Sequence, residues 1–299
     1  LEKPAGVGST AVLQHVRRLY SAERAGHTGT LDPMASGLLV LCFGEATKFA
    51  GELLDGRKRY LAEVTLGTKT STGDREGYVV ASRPVAVDDE SIAGALESLR
   101  GDISQVPPMY SALKRNGRPL YEYARQGETL DRAPRRVHIY DLRLIGGDGQ
   151  RLNLDVTCSK GTYIRSLAED LGEALGCGAH LSALVRTSLG AFQLSDASTI
   201  EELTSMQSAD RDMRLLPIDS LLTAYPSVHL EESLARRFLL GQTVLAEQHA
   251  ICAVRVYGPN HFLGTGSLEG SELRPKRLLS QALTAGRPDR SKEIILEKR

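Results

Sequence analysis

The sequence predicts a mixed α/β fold in which strands are separated by helices and hairpins, followed by a smaller β-rich module. Alternating apolar residues indicate half-buried strands, most clearly from Lys58 onward, at Tyr60, Ala62, Val64 and Leu66. Segments with helical spacing and capping residues recur between the strands. The chain shows no repeat of fixed period and no G-x-G-x-x-G or Walker pattern, so a mixed sheet is favoured over a doubly wound Rossmann fold.

Local patterns predict the elements of the first hundred residues. Ser9 caps an amphipathic helix that places apolar residues on one face, namely Val12, Leu13, Val16, Leu19 and Tyr20. A loop rich in glycine and threonine follows over residues 26–37. The apolar run 38–42 predicts a buried strand, 45–54 a helix that ends near Gly56, and 89–99 a second helix.

The middle of the chain continues the alternation of helices and strands. Helices are predicted over 120–125 and over 164–175, where Gly176 stops the second. Strands are predicted over 136–145 and 152–158, and the turn residues 146–149 join them as a hairpin. Thr199 and Glu202 have the spacing of a capping box, which predicts one more short helix.

A domain boundary is predicted near residue 215. The polar run 208–214 ends there and Leu215-Leu216-Pro217-Ile218 follows, so residues 1–214 are predicted to form the larger domain and 215–299 the smaller. The smaller domain has a predicted helix over 233–240 and short strands over 252–256 and 262–264, separated by turn residues. Residues 286–299 form a charged tail.

Composition excludes several classes of protein. The four cysteines contain no C-x-x-C pair, which argues against a zinc knuckle and indicates reduced thiols in a cytoplasmic protein. The longest apolar run, 38–43, is too short to span a bilayer, and no signal peptide is visible. Because the chain opens without Met, we expect residues to be missing before Leu1. The seven histidines are scattered, so no metal site is predicted and a metal-dependent nuclease is disfavoured.

Charge is balanced overall and uneven locally. The chain has 37 Lys and Arg against 37 Asp and Glu, which argues weakly against a nucleic-acid partner. Residues 114–143, however, contain four acidic residues and eight basic ones: Lys114, Arg115, Arg118, Arg125, Arg132, Arg135, Arg136 and Arg143. Three tyrosines are interleaved with them. This patch predicts contacts with RNA phosphates, and a solvated surface is the alternative.

The loop over residues 26–37 is the best candidate for chemistry. Its glycines permit positive φ or a close ligand approach, and it lies between a predicted helix and a buried strand. Pro33 restricts the backbone of Asp32 to extended conformations. The alternative is a structural turn in which Asp32 bonds local backbone amides. No second acidic residue lies nearby in sequence, so the pattern does not indicate paired-carboxylate catalysis.

The full string of this loop resembles the signature of the bacterial tRNA pseudouridine synthase B family. The matching residues are Arg24-Ala25-Gly26-His27-Thr28-Gly29-Thr30-Leu31-Asp32-Pro33. Further matches follow in family order: Lys3-Pro4, Gly44-Glu45-Ala46-Thr47-Lys48, Lys58-Arg59-Tyr60, Pro107-Pro108-Met109-Tyr110-Ser111-Ala112-Leu113-Lys114 and Gly161-Thr162-Tyr163-Ile164-Arg165-Ser166-Leu167. Together these matches spread over most of residues 1–170.

The resemblance implies the pseudouridine synthase fold, with a mixed and largely antiparallel sheet, and an enzyme that isomerises uridine-55 in the T-loop of tRNA. Asp32 would be the nucleophile, paired with Arg165, and Tyr60 would stack on the target base. Tyr163 and Leu184 would line the pocket. His27 would contact the RNA near the extruded base.

The carboxylate of Asp32 has three possible first steps: attack on C1′ of the ribose, attack on C6 of the uracil, or removal of a ribose proton. For the side chains themselves, the alternatives are a surface position for Arg165 and core packing for Tyr60 and Tyr163. The resemblance implies no cofactor and no protein partner, so a monomer is expected.

The resemblance also gives a role to the basic patch and to the smaller domain. Residues 105–143 would form an insertion that closes over the RNA, with Lys114, Arg115, Arg118 and Arg136 on phosphates. The smaller domain resembles the β-barrel RNA-binding domain called PUA through Ala235-Arg236-Arg237-Phe238-Leu239-Leu240-Gly241-Gln242, Gly264-Thr265-Gly266 and Leu273-Arg274-Pro275-Lys276-Arg277. An RNA-binding or RNA-folding module without catalysis is the alternative function.

Overall fold

The structure is a computed structural model that describes residues 1–54 and 56–280. The chain divides into two compact units. The first comprises Leu1–Gly8, Leu31–Leu38 and Asp55–Ala197, and the second comprises Ser9–Thr30, Leu39–Leu54 and Ser198–Arg299. The boundary between domains at 214/215 stays a prediction. The charged tail 286–299 lies outside the described residues.

The strands and helices are numbered in chain order. The strands are β1 Glu2–Lys3, β2 Ala25–His27, β3 Ser36–Leu38, β4 Leu41–Phe43, β5 Lys58–Leu66, β6 Thr68–Thr70, β7 Val79–Ser82, β8 Gly101–Gln105, β9 Lys114–Arg115, β10 Arg118–Pro119, β11 Arg135–Gly147, β12 Arg151–Cys158, β13 Ala179–Leu189, β14 Phe192–Gln193, β15 Ser227–His229, β16 Val244–Tyr257 and β17 Phe262–Leu278. The helices are α1 Ser9–Leu19, α2 Ala50–Leu54, α3 Asp89–Ser98, α4 Leu120–Arg125, α5 Ile164–Ala174, α6 Ile200–Ser205, α7 Ser208–Asp212 and α8 Glu232–Leu239.

The first unit is built on one mixed sheet with the strand order β1-β3-β13-β5-β12-β11-β8, and β14 pairs with β13. Every pair is antiparallel except β13 with β3, which confirms the prediction of a mixed sheet. Alternate residues of β5 are buried, as the period of two predicts. The core of the unit includes residues from β5, β12, α5 and β13, among them Val64, Val156, Leu167, Leu171 and Leu181.

Two predicted elements differ from the structure. The run 38–42 is not one strand, because it contributes the end of β3 to the main sheet and the start of β4 to a separate hairpin with β2. The predicted helix 45–54 is a 3-10 helix, Gly44–Lys48, followed by α2. The hydroxyl of Thr47 donates to the carbonyl of Gly44 (2.7 Å) and so competes with the α-helical bond to that carbonyl.

The second unit contains α1, the β2–β4 hairpin, the helices α2, α6, α7 and α8, and a three-stranded sheet in the order β15-β16-β17. The predicted capping box is confirmed, because Thr199 Oγ1 accepts from the amide of Glu202 (3.1 Å) and Glu202 Oε2 accepts from the amide of Thr199 (2.9 Å). The core under the sheet includes Val228, Phe238, Val256, Leu263 and Leu273.

The predicted β-barrel of the smaller domain is not confirmed. The strand pairs described for residues 215–280 are β15 with β16, which is parallel, and β16 with β17, which is antiparallel. The chain does fold back at the end of β17, where the amide of Leu279 donates to the carbonyl of Leu263 (3.0 Å). No helix in the described part of the chain is long and apolar enough to cross a membrane.

Candidate active site

A short turn places Asp32 at the entry to β3. The carbonyl of Asp32 accepts from the amide of Ala35 (3.1 Å), and the carbonyl of Pro33 accepts from the amide of Gly6 (2.7 Å). Strand β3 then runs beside β13, where Gly37 has a φ of +100° and a Cβ atom would clash with the main chain of Arg186. Glycine at residue 37 therefore allows the close strand pairing that holds the turn in place.

The carboxylate of Asp32 forms an ion pair with the guanidinium of Arg165, with 2.9 Å between Oδ2 and Nε. Arg165 lies in the first turn of α5 and its side chain is 3% exposed, which rules out the alternative of a surface position. Its other two nitrogens donate to the carbonyls of Thr72 (3.1 Å) and Tyr110 (2.7 Å). Three separate segments therefore fix the guanidinium, and the ion pair keeps one geometry.

A second carboxylate, which was not predicted from the sequence, lies near the same guanidinium. Oδ2 of Asp74 is 3.6 Å from Nε of Arg165, and the side chain of Asp74 is buried. Oδ1 of Asp74 accepts from the hydroxyl of Thr72 (2.5 Å) and from the amide of Glu76 (3.0 Å). The polar run around Asp74 has the composition of an ordinary turn, so the sequence carries no signal that links it to Asp32.

Burial raises the pKa of Asp32 above the ordinary value of an aspartate. The positive charge of Arg165 opposes this rise, the negative charge of Asp74 adds to it, and Lys3 opposes it weakly. The carboxylate is thus desolvated and stays ionisable because of its guanidinium partner. Such an environment suits a group that must react as an anion.

Lys3 is fully buried and anchors the segment before the turn. Its Nζ donates to the carbonyls of Pro4 (2.8 Å) and Val7 (2.6 Å) and, at 3.4 Å, to that of Pro33. Burial lowers its pKa to about 8, against the opposing effect of Asp32. Lys3 therefore holds the chain segment next to the turn that carries Asp32.

Tyr60 and Leu184 lie on the two central strands of the sheet, and both belong to the core of the unit together with Leu31. Tyr60 is 6% exposed, so it does pack in the core. Burial raises the pKa of its phenol to about 12, and the charge of Arg186 together with a hydrogen bond from its side chain opposes this rise. Arg186 was not predicted as a site residue.

Tyr163 occupies the N-cap of α5, two residues before Arg165. Its amide donates to Oε1 of Gln105 (3.1 Å), and Nε2 of Gln105 donates to its carbonyl (3.3 Å). Burial raises the pKa of its half-buried phenol, and Asp32 and Arg165 act on it electrostatically. The first unit thus contains five of the six predicted pocket residues: Asp32, Tyr60, Tyr163, Arg165 and Leu184.

The sixth, His27, lies in the second unit at the end of β2, where it pairs with Leu41 of β4. It is half-buried. The loop between this hairpin and Asp32 includes Thr28, which is fully buried and whose amide donates to the carbonyl of Val40 (3.1 Å). The hairpin therefore fixes the backbone on the His27 side of the signature loop.

The predicted phosphate-binding residues differ in how available their charges are. Lys114 and Arg115 are exposed on β9, and Arg136 is exposed on β11. Nε of Arg118, on β10, is 3.0 Å from a carboxylate oxygen of Glu122, and its guanidinium lies over the ring of Tyr123 at 4.4 Å. Arg118 is thus partly engaged within the unit, whereas the other three present their charges to solvent.

Comparisons with known proteins cover nearly the whole chain. Residues 17–164 match the family model described as TruB family pseudouridylate synthase (N terminal domain). Residues 165–223 match the tRNA pseudouridylate synthase B C-terminal domain, and residues 226–279 match Pseudouridine synthase II TruB, C-terminal.

Curated relatives match this chain over almost its whole length. A protein of Azoarcus sp. (strain BH72) named tRNA pseudouridine synthase B is 51% identical over 280 residues, which cover 94% of this chain and 93% of the relative. A protein of the same name from Chromohalobacter salexigens is 50% identical over 290 residues, which cover 95% and 94%.

Solved structures show the same fold at lower identity. A Cbf5-Nop10-Gar1 complex contains a chain with a TM-score of 0.71 and 23% identity, and the match covers 93% of this chain and 83% of that chain. A chain of an H/ACA RNP bound to a substrate RNA containing 2'-deoxyuridine has a TM-score of 0.69 and 21% identity, with the same coverage. The family models and the curated relatives together show that the chain belongs to the TruB family of pseudouridylate synthases.

Proposed function

We propose that the chain isomerises one uridine of tRNA to pseudouridine, at position 55 of the T-loop, with Asp32 as the nucleophile. The ion pair between the partly exposed carboxylate of Asp32 and the buried guanidinium of Arg165 carries this proposal, because binding alone does not need an ionisable carboxylate with a raised pKa. The relatives named tRNA pseudouridine synthase B support tRNA as the substrate.

The reaction is an isomerisation, so it consumes no second substrate and involves no net oxidation or reduction. The bond from C1′ to N1 of uracil breaks, a bond from C1′ to C5 forms, C5 loses its proton to solvent and N1 gains one. A uridine in a folded T-loop must first leave its stack. We assign Tyr60 as the surface on which the extruded base stacks, with Tyr163 and Leu184 lining the pocket and His27 contacting the RNA nearby.

We also propose that residues 215–299 include a PUA-like RNA-binding domain, separate from a catalytic domain over 1–214. The return of the chain at the end of β17 supports this, because it adds a main-chain bond between Leu279 and Leu263 beyond the three-stranded sheet. The insertion 105–143 is proposed to close over the RNA, with the protein acting as a cytoplasmic monomer.

Mapping pseudouridine along an unmodified tRNA tests this function. We expect the chain to convert one uridine, in the T-loop at position 55, without added cofactor. A T-stem-loop RNA should be converted at the same uridine, and the same RNA with cytidine at this position should remain unmodified. Cleavage of the RNA, or binding without any pseudouridine, would support the nuclease or the RNA-binding alternative instead.

The salt dependence of tRNA binding tests the basic patch. Changing Arg115 and Arg136 to Glu is expected to weaken binding and to flatten the slope of log affinity against log salt, by about 0.7–0.9 for each phosphate that the protein no longer neutralises. Arg118→Glu is not a suitable variant, because it would also disturb the contacts with Glu122 and Tyr123. A matched reversal at Arg151, an exposed residue outside the patch that already lies near Asp148, should change the slope less. An unchanged slope for the Arg115/Arg136 variant would locate the RNA contacts elsewhere.

A further inference from the structure

Tyr60 and Arg186 are direct cross-strand partners in the middle of the main sheet, on β5 and β13. Both side chains are buried, Tyr60 at 6% exposure and Arg186 at 1%. A fully buried guanidinium needs partners for its five N–H groups, because leaving them unpaired is costly. The hydroxyl of Tyr60 is one of these partners.

The position of Arg186 is fixed from the other side by β3. Nε of Arg186 donates to the carbonyl of Leu38 (2.7 Å), and the main chain of Arg186 lies directly against Gly37. The guanidinium is therefore bound to the strand that follows the Asp32 turn as well as to Tyr60. Because these two contacts hold the guanidinium of Arg186, it is not free to move toward a ligand.

The direction of the Tyr60 hydroxyl follows from what an arginine can do. Arginine has donors and no acceptor, so in this hydrogen bond the phenol oxygen must accept. The proton of the phenol must then point away from Arg186. In a pocket that holds an extruded uridine, that proton is available to an oxygen of the nucleoside.

We propose that Arg186 is a positioning residue that makes Tyr60 a fixed hydrogen-bond donor to an oxygen of the extruded uridine. The inference rests on the proposed function. In this role the hydroxyl of Tyr60 donates a hydrogen bond. The alternative role is that it accepts a proton during the isomerisation. Burial supports the donor role, because a phenol with a pKa of about 12 stays protonated at neutral pH.

A double-mutant cycle tests the coupling. Single-turnover rates and tRNA Kd values are measured for the parent, Arg186→Lys, Tyr60→Phe and the double variant, on unmodified tRNA. Arg186→Lys keeps the charge and loses the planar fork, so we expect a rate loss of about 10–100-fold, as for one misdirected hydrogen bond, with Kd within about threefold. In the Tyr60→Phe background the same change should cost less than about threefold.

Arg211→Lys is the matched control, because this arginine also donates to several main-chain carbonyls but lies in the second unit. Its rate should equal that of the parent. An equal rate loss from Arg186→Lys in both backgrounds would overturn the inference, since Arg186 would then act independently of the hydroxyl. If the unaltered protein made no pseudouridine, the proposed function would be overturned as well. That result would be known before the variants are compared.

A second measurement uses the unaltered protein and so does not depend on a variant that folds. If the phenol of Tyr60 acts as a donor, the single-turnover rate, corrected for tRNA binding, should stay level between about pH 7 and pH 9. A phenolate that accepts a proton predicts a rate that rises about tenfold per pH unit over this range, because its population does so. Such a rise, if it disappears in Tyr60→Phe, would overturn the donor role.

Discussion

Replacing Asp32 with Asn is expected to abolish pseudouridine formation while tRNA binding persists. Asn has nearly the same size and no charge, so the turn and the pocket keep their shape while the nucleophile is removed. Removing the reacting group of an enzyme costs about 10⁴-fold or more in rate. Affinity for tRNA should stay within about tenfold, or about 1.4 kcal/mol, because most of it comes from phosphate contacts.

Single-turnover assays beside a filter-binding titration measure the two quantities separately. Asp74→Asn is the informative comparison, because Asp74 lies 3.6 Å from the same guanidinium and is not proposed to react. Its rate should exceed that of Asp32→Asn by a wide margin. If Asp32→Asn formed pseudouridine at a substantial rate, the carboxylate of Asp32 would not be the nucleophile.

Replacing Arg165 with Gln is expected to give the second largest loss, about 10²–10³-fold or more at pH 7. Removing the buried guanidinium leaves the carboxylate of Asp32, whose side chain is 34% exposed, without its charge partner, and solvent compensates for that loss only in part. Arg165 is the largest influence that opposes the burial-induced rise in the pKa of Asp32. In the variant this pKa should therefore rise further, and less of the carboxylate will be ionised.

The pH dependence shows whether Arg165 acts through Asp32. The ionised form reacts, so activity is present above the pKa of Asp32 and is lost as the pH falls through it. In Arg165→Gln the acid limb should move to higher pH, and part of the loss should be recovered between about pH 7 and pH 9. Arg83→Gln, which removes an exposed ion-pair partner of Glu173, should leave the rate and the profile unchanged. A profile of unchanged shape in Arg165→Gln would show that Arg165 does not control the ionisation of Asp32.

Much of the fold could be predicted from local patterns. The alternation from Lys58 gives β5, and helical spacing with a glycine stop gives α5 within one residue at its end. Helix α4 has the predicted bounds. These elements keep one period from start to end, and each buries one face against a core, so the pattern and the structure have the same cause.

Strand β13 was not predicted from the sequence, although it lies near the centre of the main sheet. Its pairing with β5 shifts register between Leu181 and Ala183 and again between Arg186 and Ser188. Each irregularity changes which residues face the core, so the alternation that indicates a strand is broken twice. The strand also carries a buried arginine, and hydrophobic patterning scores such a residue as exposed.

The residues of the candidate site also fall into two groups, those predicted from the sequence and those found only in the structure. Asp32, Tyr60, Tyr163 and Arg165 were predicted because each lies in a string of family-like residues, and Leu184 was predicted from the resemblance without such a string around it. Asp74 and Arg186 became visible through distances, since the first approaches Arg165 from a loop and the second lies across a strand pair. Sequence spacing does not encode either contact.

Release of the C5 hydrogen tests the central claim most directly. With tRNA that carries tritium at C5 of its uridines, each conversion to pseudouridine frees one tritium to water. The parental chain should release tritium from one uridine per tRNA, and Asp32→Asn, at matched tRNA occupancy, should release none above background. Equal release by the two proteins, or no release by the parent on tRNA that it binds, would contradict the assignment of this chain as a pseudouridine-forming enzyme that works through Asp32.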